Sequence, residues 1–252
     1  MPVRGLLIEF MLGEIRNQHG ERIDYTLHAG APGSKNIVVL GHGVTGNKDR
    51  PFVVALAQGL EQAGLNALRI SFSGNGASEG KFTDSNITKE VADLGSVLDA
   101  LKGWHVGYIG HSMGGAVGVI RTSTDDRIKY LVSLAGMVTT KAFAEREFGM
   151  VTPGKGNMWD DEACPLSQAY MDDLRGLDTL VPRAPLIKVP WLLVHGTEDD
   201  VVFPQDSLDI FAQANQPVSL LQIKGSNHVF AGAHTTPMVE AVTAWVKARS
   251  NS

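Results

Sequence analysis

The chain has 252 residues, of which 43 % are hydrophobic and 19 % are charged, and its formal net charge is −5. Acidic and basic residues are interspersed along it, which argues against a nucleic-acid-binding protein and against one that binds anionic membranes. No stretch approaches the roughly 18 apolar residues of a membrane span, and no secretory signal is visible, so we expect a soluble, cytoplasmic protein. The single cysteine, Cys164, cannot form an internal disulfide, which fits a reducing compartment without excluding export.

The predicted elements begin with an antiparallel hairpin, whose strands at 6–12 and 21–27 flank the polar turn RNQHGE. Short β-branched runs then alternate with longer segments of helical period, which is typical of a parallel sheet with crossover helices. The strands are predicted at 36–40, 66–71, 106–109, 130–134, 191–194 and 218–222, and the helices at about 51–63, 87–101, 113–121, 206–213 and 236–248. This pattern predicts a single α/β domain over 1–252.

One segment interrupts the alternation, at about 137–188, and scattered aromatic and methionine side chains occur in it. Long insertions in compact domains usually form lids or binding loops. We therefore predict an inserted lid. A small helical subdomain whose aromatic residues pack on one another is the alternative interpretation, and it does not exclude the lid role.

The strand VGYI leads directly into GHSMGG, so Ser112 lies between Gly110 and Gly114 in a GxSxG arrangement before a helix. A sharp strand-to-helix turn strains the central residue, and the glycines leave space for that turn. The turn would lift the Ser112 hydroxyl clear of the sheet and leave the N–H of Met113 free at the helix N-terminus, where developing negative charge is stabilised. Ser112 is the predicted nucleophile.

A serine hydroxyl needs a base in contact with it and a carboxylate that orients the base. Both follow Ser112 in the expected chain order, as Asp199 in HGTEDDVVFP and His228 in KGSNHVF, each directly after a predicted strand. Asp200 remains an alternative acid, and His234 remains an alternative base. Asp206 is better explained as the N-cap of the following helix.

Two glycine motifs resemble nucleotide-binding loops. Gly41, Gly43 and Gly46 follow a strand as GxGxxG, but the helix does not begin until Pro51, and no acid follows the next strand. We instead predict that this loop presents the N–H of Val44 as a second oxyanion donor.

The second motif, at 149–156, matches GxxxxGK but has glycine where a P-loop requires serine or threonine, and no strand precedes it. We interpret it as a turn. No zinc-binding set is apparent, and we interpret the remaining early histidines as loop or packing residues: His42, His105, His111 and His195.

These motifs, in their order along the chain, resemble the α/β-hydrolase superfamily: GHGVTGNK, GHSMGG, HGTEDDVVFP and GSNHVF. The first motif, together with SFSGNGASEGKF and the mid-chain insertion, is similar to small carboxylesterases of the cinnamoyl and feruloyl esterase type, and to serine-peptidase-like and monoacylglycerol-lipase-like members. The resemblance implies a mostly parallel sheet with helices on both faces, a Ser-His-Asp triad of Ser112, His228 and Asp199, and no cofactor. Where such esterases often carry an aromatic residue after HG, this chain has Val44, which predicts a wider acyl pocket.

The resulting hypothesis is a serine carboxylesterase that acts on small to medium esters, including feruloyl or cinnamoyl esters, through an acyl-enzyme. An aminopeptidase, a thioesterase, a monoacylglycerol lipase and an inactive ligand-binding member remain alternatives. We expect a small-molecule ester as the partner, no nucleic acid, no metal, and leave a homodimer open. The predicted substrate pocket consists of His111, Phe143, Phe148, Trp159 and Val202.

Overall fold

The computed structural model describes residues 12–250. Its main sheet has seven strands in the order β3-β5-β4-β6-β7-β8-β9, and all neighbouring pairs are parallel except β3 with β5. The strands are β1 (Ile15–Arg16), β2 (Arg22–Ile23), β3 (Tyr25–His28), β4 (Asn36–Gly41), β5 (Asn66–Ile70), β6 (His105–His111), β7 (Ile128–Leu134), β8 (Trp191–Gly196) and β9 (Val218–Ile223). The predicted α/β-hydrolase architecture is confirmed.

The N-terminal hairpin is confirmed as antiparallel, but its strands differ from the prediction. β1 pairs with β2 through Ile15 and Ile23, and the predicted strand at 6–12 lies outside the described residues apart from Leu12. The turn is tight because the Asn17 side chain accepts hydrogen bonds from the N–H groups of His19 and Glu21. The rest of the predicted second strand forms β3, which joins the main sheet.

Each central strand is buried on both faces, which explains why it reads as an uninterrupted apolar run. The helices are α1 (Pro51–Gln62), α2 (Ile87–Ala100), α3 (Met113–Thr122), α4 (Thr140–Phe148), α5 (Gln168–Leu177), α6 (Pro204–Gln213) and α7 (Thr235–Lys247). In β4, Val38 and Leu40 face one hydrophobic cluster with α1 and α7, whereas Ile37 and Val39 face the other cluster with α2 and α3. Within the described residues, no helix is both long enough and apolar enough to cross a membrane.

The segment between β7 and β8 contains the helices α4 and α5. The sequence pattern predicts an insertion here but no helix bounds within it. Helix α5 begins where the Ser167 hydroxyl accepts a hydrogen bond from the N–H of Tyr170. Phe143, Phe148 and Tyr170 are buried in the same cluster as α2 and α3. The segment is therefore packed against the helix layer through its aromatic side chains.

Asp206 does not cap α6, and the prediction that it does is wrong. The helix begins two residues earlier, at Pro204, with Phe203 in the N-cap position. Because Pro204 supplies a fixed φ angle and has no N–H to satisfy, the helix starts there without a side-chain cap. The Asp206 carboxylate instead accepts hydrogen bonds from the N–H groups of Val138 and Thr139 and from the Thr139 hydroxyl, at 2.6 to 3.0 Å. It therefore fixes the start of the segment between β7 and β8.

Replacement of Asp206 with alanine is expected to lower the free energy of unfolding by about 2–3 kcal/mol, because it leaves two backbone N–H groups, one fully buried, without their acceptor. Asp209→Ala, on the same helix, is the matched control, since Asp209 is contacted on the surface by Gln205. It should change stability by about 0.5 kcal/mol or less. Urea unfolding measures both values, and equal losses in the two variants would contradict the assignment.

Candidate active site

Ser112 occupies a sharp turn between β6 and α3, with φ 54° and ψ −119°. The neighbouring glycines are required by close backbone contacts. A Cβ atom on Gly110 would lie 2.1 Å from the carbonyl oxygen of Gly114, and one on Gly114 would lie 2.5 Å from that of His42. The GxSxG spacing thus reflects three backbone segments that meet at one point.

The Ser112 main chain is tied to the adjoining strand. Its N–H donates to the carbonyl of Leu134 at 2.9 Å, and its carbonyl accepts from the N–H of Met137 at 3.0 Å. Its hydroxyl is buried and has no hydrogen-bond partner within the described part of the chain. The side chain is therefore unpaired although its backbone is held on both sides.

Asp199 and His228 come together at the carboxyl ends of β8 and β9. His228 Nδ1 lies 2.8 Å from Asp199 Oδ2, while the N–H groups of Val201 and Val202 each donate to Asp199 Oδ1 at 3.0 Å. Burial opposes ionisation of Asp199, but hydrogen bonds from His195 and His228 outweigh it and hold the pKa of the carboxyl well below its usual range. The histidine thus faces an ionised carboxylate.

The two alternative residues lie in different surroundings. Asp200 is exposed, whereas its neighbour Asp199 is buried against His228. His234 is partly exposed in a short helical turn, where its ring lies beside Gly225. Asp199 and His228, rather than Asp200 and His234, therefore form the contact between an acid and a histidine.

Ser112 and His228 both line a cavity of about 570 Å³. The loop after β4 forms one wall, and Gly43 allows its close approach, because a Cβ there would lie 2.8 Å from Ser112 Cβ. Val44 belongs to this wall, and Met113 is the first residue of α3, where the N–H has no acceptor within the helix. Gly43 of the GxGxxG motif therefore brings backbone close to Ser112, and α1 begins only at Pro51.

The predicted pocket residues separate into two groups. His111 and Trp159 line the cavity. Phe143, Phe148 and Val202 do not, and their assignment to the pocket is wrong: each is at most 2 % exposed and belongs to the hydrophobic core. The two phenylalanines are on helix α4 and pack in the same buried cluster as residues of α2 and α3.

Trp159 lies in the segment between β7 and β8 and lines the cavity. It has the unusual left-handed backbone angles φ 49° and ψ 36°. Its indole N–H donates to Glu147 at 2.9 Å, and its ring contacts Phe148 edge-on with centroids 5.0 Å apart. Phe148 thus supports the aromatic side chain through which this segment reaches the cavity.

Two buried histidines beside Ser112 are held in the neutral form. Burial lowers the pKa of His42 to about 4 and the pKa of His111 well below its usual range. His42 Nδ1 lies 2.8 Å from the Gly43 carbonyl, and its Nε2 accepts the N–H of Phe72 at 3.0 Å. His42 therefore joins the loop after β4 to the end of β5, which is a structural role.

This burial predicts a pH-dependent stability. Between about pH 4 and 6.5 the unfolded chain binds a proton at His42 that the folded chain does not, so stability falls as the pH is lowered through that window. One pKa unit corresponds to about 1.4 kcal/mol, so His42 contributes a fall of roughly 3 kcal/mol. Urea unfolding at pH 7 and pH 4 should show a smaller fall in His42→Gln than in wild type or in the exposed-site control His19→Gln. An equal fall in the free energy of unfolding in all three proteins would contradict the assignment of this effect to His42.

Sequence reasoning missed several residues of this site. Arg50 and Phe52 line the cavity and directly follow the HGVTGNK loop, so proximity to that motif was the available signal. Thr235 and Val229 also line it, from the chain around His228. The sequence indicates a loop or packing role for His195, but its Nε2 lies 3.1 Å from Asp199 Oδ2. Its position four residues before Asp199 gave no signal of that contact.

Comparison with known proteins identifies similar folds across a wide range of sources. Est1E from Butyrivibrio proteoclasticus, solved with bound ferulic acid, superposes with a TM-score of 0.82 at 22 % identity, covering 95 % of this chain and 100 % of that one. A monoacylglycerol lipase from Paleococcus ferrophilus has a TM-score of 0.73 at 21 % identity, covering 90 % and 99 %. Mouse alpha/beta hydrolase domain-containing protein 10 has a TM-score of 0.76 at 18 % identity, covering 93 % and 97 %.

Two sequence matches complement these structures. The uncharacterized protein YfhR from Salmonella typhi is 24 % identical over 222 residues, which cover 83 % of this chain and 70 % of that protein. The model of the prolyl oligopeptidase family matches residues 61–252, a range that includes Ser112, Asp199 and His228. Because this match spans well over half of the sequence, the chain belongs to the prolyl oligopeptidase family, and it has the α/β-hydrolase fold.

Proposed function

We propose that this chain is a serine hydrolase that cleaves carboxylic esters, with Ser112 as nucleophile, His228 as general base and Asp199 as the acid that orients it. One observation carries the proposal. A buried, unpaired serine hydroxyl on a strained strand-to-helix turn shares a cavity with a histidine whose other ring nitrogen is bonded to an ionised carboxylate. The family match and the esterase and lipase folds support the same class of chemistry.

In the proposed first half-reaction, His228 Nε2 removes the Ser112 hydroxyl proton as Oγ attacks the ester carbonyl carbon. Asp199 accepts the hydrogen bond from His228 Nδ1–H and stabilises the imidazolium. The carbonyl oxygen becomes an oxyanion, for which the N–H groups of Met113 and Val44 are the proposed donors. His228 then donates the proton to the leaving alcohol, and an acyl-Ser112 ester remains.

In the second half-reaction, His228 removes a proton from water, and the resulting hydroxide attacks the acyl carbon. The tetrahedral intermediate collapses as the Ser112 oxygen leaves and takes the proton back from His228. The carboxylic acid is released, and the enzyme returns to its starting state. All proton transfers use the one histidine, so the proposed cycle needs no further acid or base.

The cavity supports a small or medium, mainly apolar ester. Its volume of about 570 Å³ lies within the usual range of small-molecule sites, and Phe52, Trp159 and Val229 contribute apolar surface to it. We propose that Trp159 and the segment from which it comes act as the lid over this cavity. The ferulic acid bound to Est1E makes hydroxycinnamoyl esters a reasonable member of the test set.

The family name makes a peptidase the second candidate function. The charge of the cavity favours an ester over the free N-terminus of a peptide. Among the described residues that line it, none is Asp or Glu, and Arg50 carries a positive charge. A positively charged α-amino group would therefore meet no acidic partner and would be repelled by Arg50.

A hydrolysis panel tests this choice. We expect turnover of p-nitrophenyl acetate and butyrate and of methyl ferulate, weaker turnover of a long-chain p-nitrophenyl ester, and little cleavage of an aminoacyl amide or an acyl-CoA. Each rate is measured as kcat/KM with purified protein. Cleavage of the amide alone would refute the esterase proposal and favour the peptidase. Absence of turnover, together with absence of fluorophosphonate labelling, would favour a non-catalytic binding protein.

A further inference from the structure

Asp199 has a second histidine partner besides His228. His195, at the carboxyl end of β8, is only 1 % exposed, and its Nε2 lies 3.1 Å from Asp199 Oδ2 and 2.8 Å from the carbonyl oxygen of Val202. Its Nδ1 lies 2.7 Å from the hydroxyl of Ser207 in α6. One imidazole therefore joins the strand, the loop that carries Asp199 and the following helix.

The partners of His195 determine its tautomer. Nε2 faces two oxygens, Asp199 Oδ2 and the Val202 carbonyl, and both can only accept because the carboxylate is ionised. Nε2 must therefore carry a proton. The Ser207 hydroxyl, which can donate or accept, occupies the other ring nitrogen, Nδ1. The two oxygens therefore place the proton on Nε2, and Ser207 holds the opposite side of the ring.

All of the hydrogen bonds to the Asp199 carboxylate then have assigned directions. Oδ1 accepts the N–H groups of Val201 and Val202, and Oδ2 accepts the N–H group of His228. The Nε2–H of His195 bonds to the Val202 carbonyl and also lies close to Oδ2, with 3.1 Å between Nε2 and Oδ2. The backbone donors hold one oxygen, and the two imidazoles face the other. His228 must move protons and is partly exposed, whereas His195 is buried at the end of β8. The rigid partner is His195.

We propose that His195, with its ring held by Ser207 and the Val202 carbonyl, is a positioning residue that holds Asp199 Oδ2 in line with Nδ1 of His228. His195 does not touch the substrate: it acts through Asp199 alone. The inference rests on the proposed function, because it assigns a role in orienting the proposed general base. It extends the Ser112, His228 and Asp199 set by two residues that lie behind the acid.

The test compares His195→Leu, His195→Gln and Ser207→Ala on p-nitrophenyl acetate. We expect His195→Leu to lower kcat by about 10- to 100-fold, with KM within about twofold of wild type, since one hydrogen bond to a charged group is lost and the cavity wall is unchanged. His195→Gln keeps an N–H donor for Asp199 and an acceptor for Ser207, so it should recover most of kcat. Ser207→Ala should lose about two- to fivefold.

Two matched controls separate this role from general destabilisation. His105→Leu removes a histidine at the opposite end of β6, and Ser133→Ala removes a buried hydroxyl that accepts a hydrogen bond from Trp191. Both controls should retain the wild-type kcat and KM. Thermal unfolding is recorded for every variant, and a kcat loss in His195→Leu that the Gln variant does not reverse would overturn the proposal.

A double-mutant cycle gives the decisive readout. If His195 acts only through Asp199, His195→Leu should lower kcat by less than about twofold in the Asp199→Asn background. A full 10- to 100-fold loss in that background would overturn the proposal. An active wild type with a fully active His195→Leu variant would refute this inference alone, whereas an inactive wild type that no serine probe labels would refute the proposed function.

Discussion

Replacement of Ser112 with alanine is expected to lower kcat for p-nitrophenyl acetate by about four orders of magnitude or more, because no other group can form the acyl-enzyme. The variant should also lose the mass increase that a fluorophosphonate adds to the wild-type protein. Alanine is smaller than serine, and the lost hydroxyl has no hydrogen-bond partner in the described structure, so folding should be retained. Peptide mapping of the labelled wild type should locate the adduct on Ser112.

Ser123→Ala is the matched control for this experiment. Ser123 lies directly after the carboxyl end of α3, where its hydroxyl donates to the carbonyl of Ile120. Its loss should leave turnover and labelling unchanged. A purified, folded Ser112→Ala protein that still turned over the ester at more than a few per cent of the wild-type rate would refute Ser112 as the nucleophile.

Replacement of Asp199 with asparagine is expected to lower kcat by about three to four orders of magnitude, with a much smaller change in KM. Both oxygens of the carboxylate accept hydrogen bonds: Oδ1 from two backbone N–H groups and Oδ2 from His228, and Nε2 of His195 lies 3.1 Å from Oδ2. An asparagine NH₂ group must replace one of them and so faces other donors. If it lies toward His228, it favours the wrong tautomer of the base, and if it lies toward the backbone, it disrupts the loop.

Asp200→Asn is the matched control, since the neighbouring residue is exposed. It should retain turnover within about twofold of wild type. The comparison also tests the choice between the two acids that the sequence leaves open. A large loss in Asp200→Asn, with little change in Asp199→Asn, would assign the orienting role to Asp200 and contradict the proposal.

The parallel sheet was predictable because its signal is local. Strands that are buried on both faces must be apolar throughout, and the helices between them need only one apolar side, so the alternation appears in the sequence itself. The helix boundaries at 51–62 and 113–122 lie within one residue of the predictions, since Pro51 and the GxSxG turn determine where these helices start. The hairpin was less predictable because the Asn17 side chain determines its turn.

The sequence by itself determined the α/β architecture and the positions of Ser112, Asp199 and His228 after β6, β8 and β9. Strand ends and glycine-supported turns are properties of neighbouring residues, so they can be recognised in the sequence. Only the tertiary structure decided which side chains meet. It buried Phe143, Phe148 and Val202 in the core, directed Asp206 at the backbone of Val138, and placed His195 against Asp199. These outcomes depend on contacts between separate elements and on which way a side chain points, and neither is encoded in the spacing of residues along the chain.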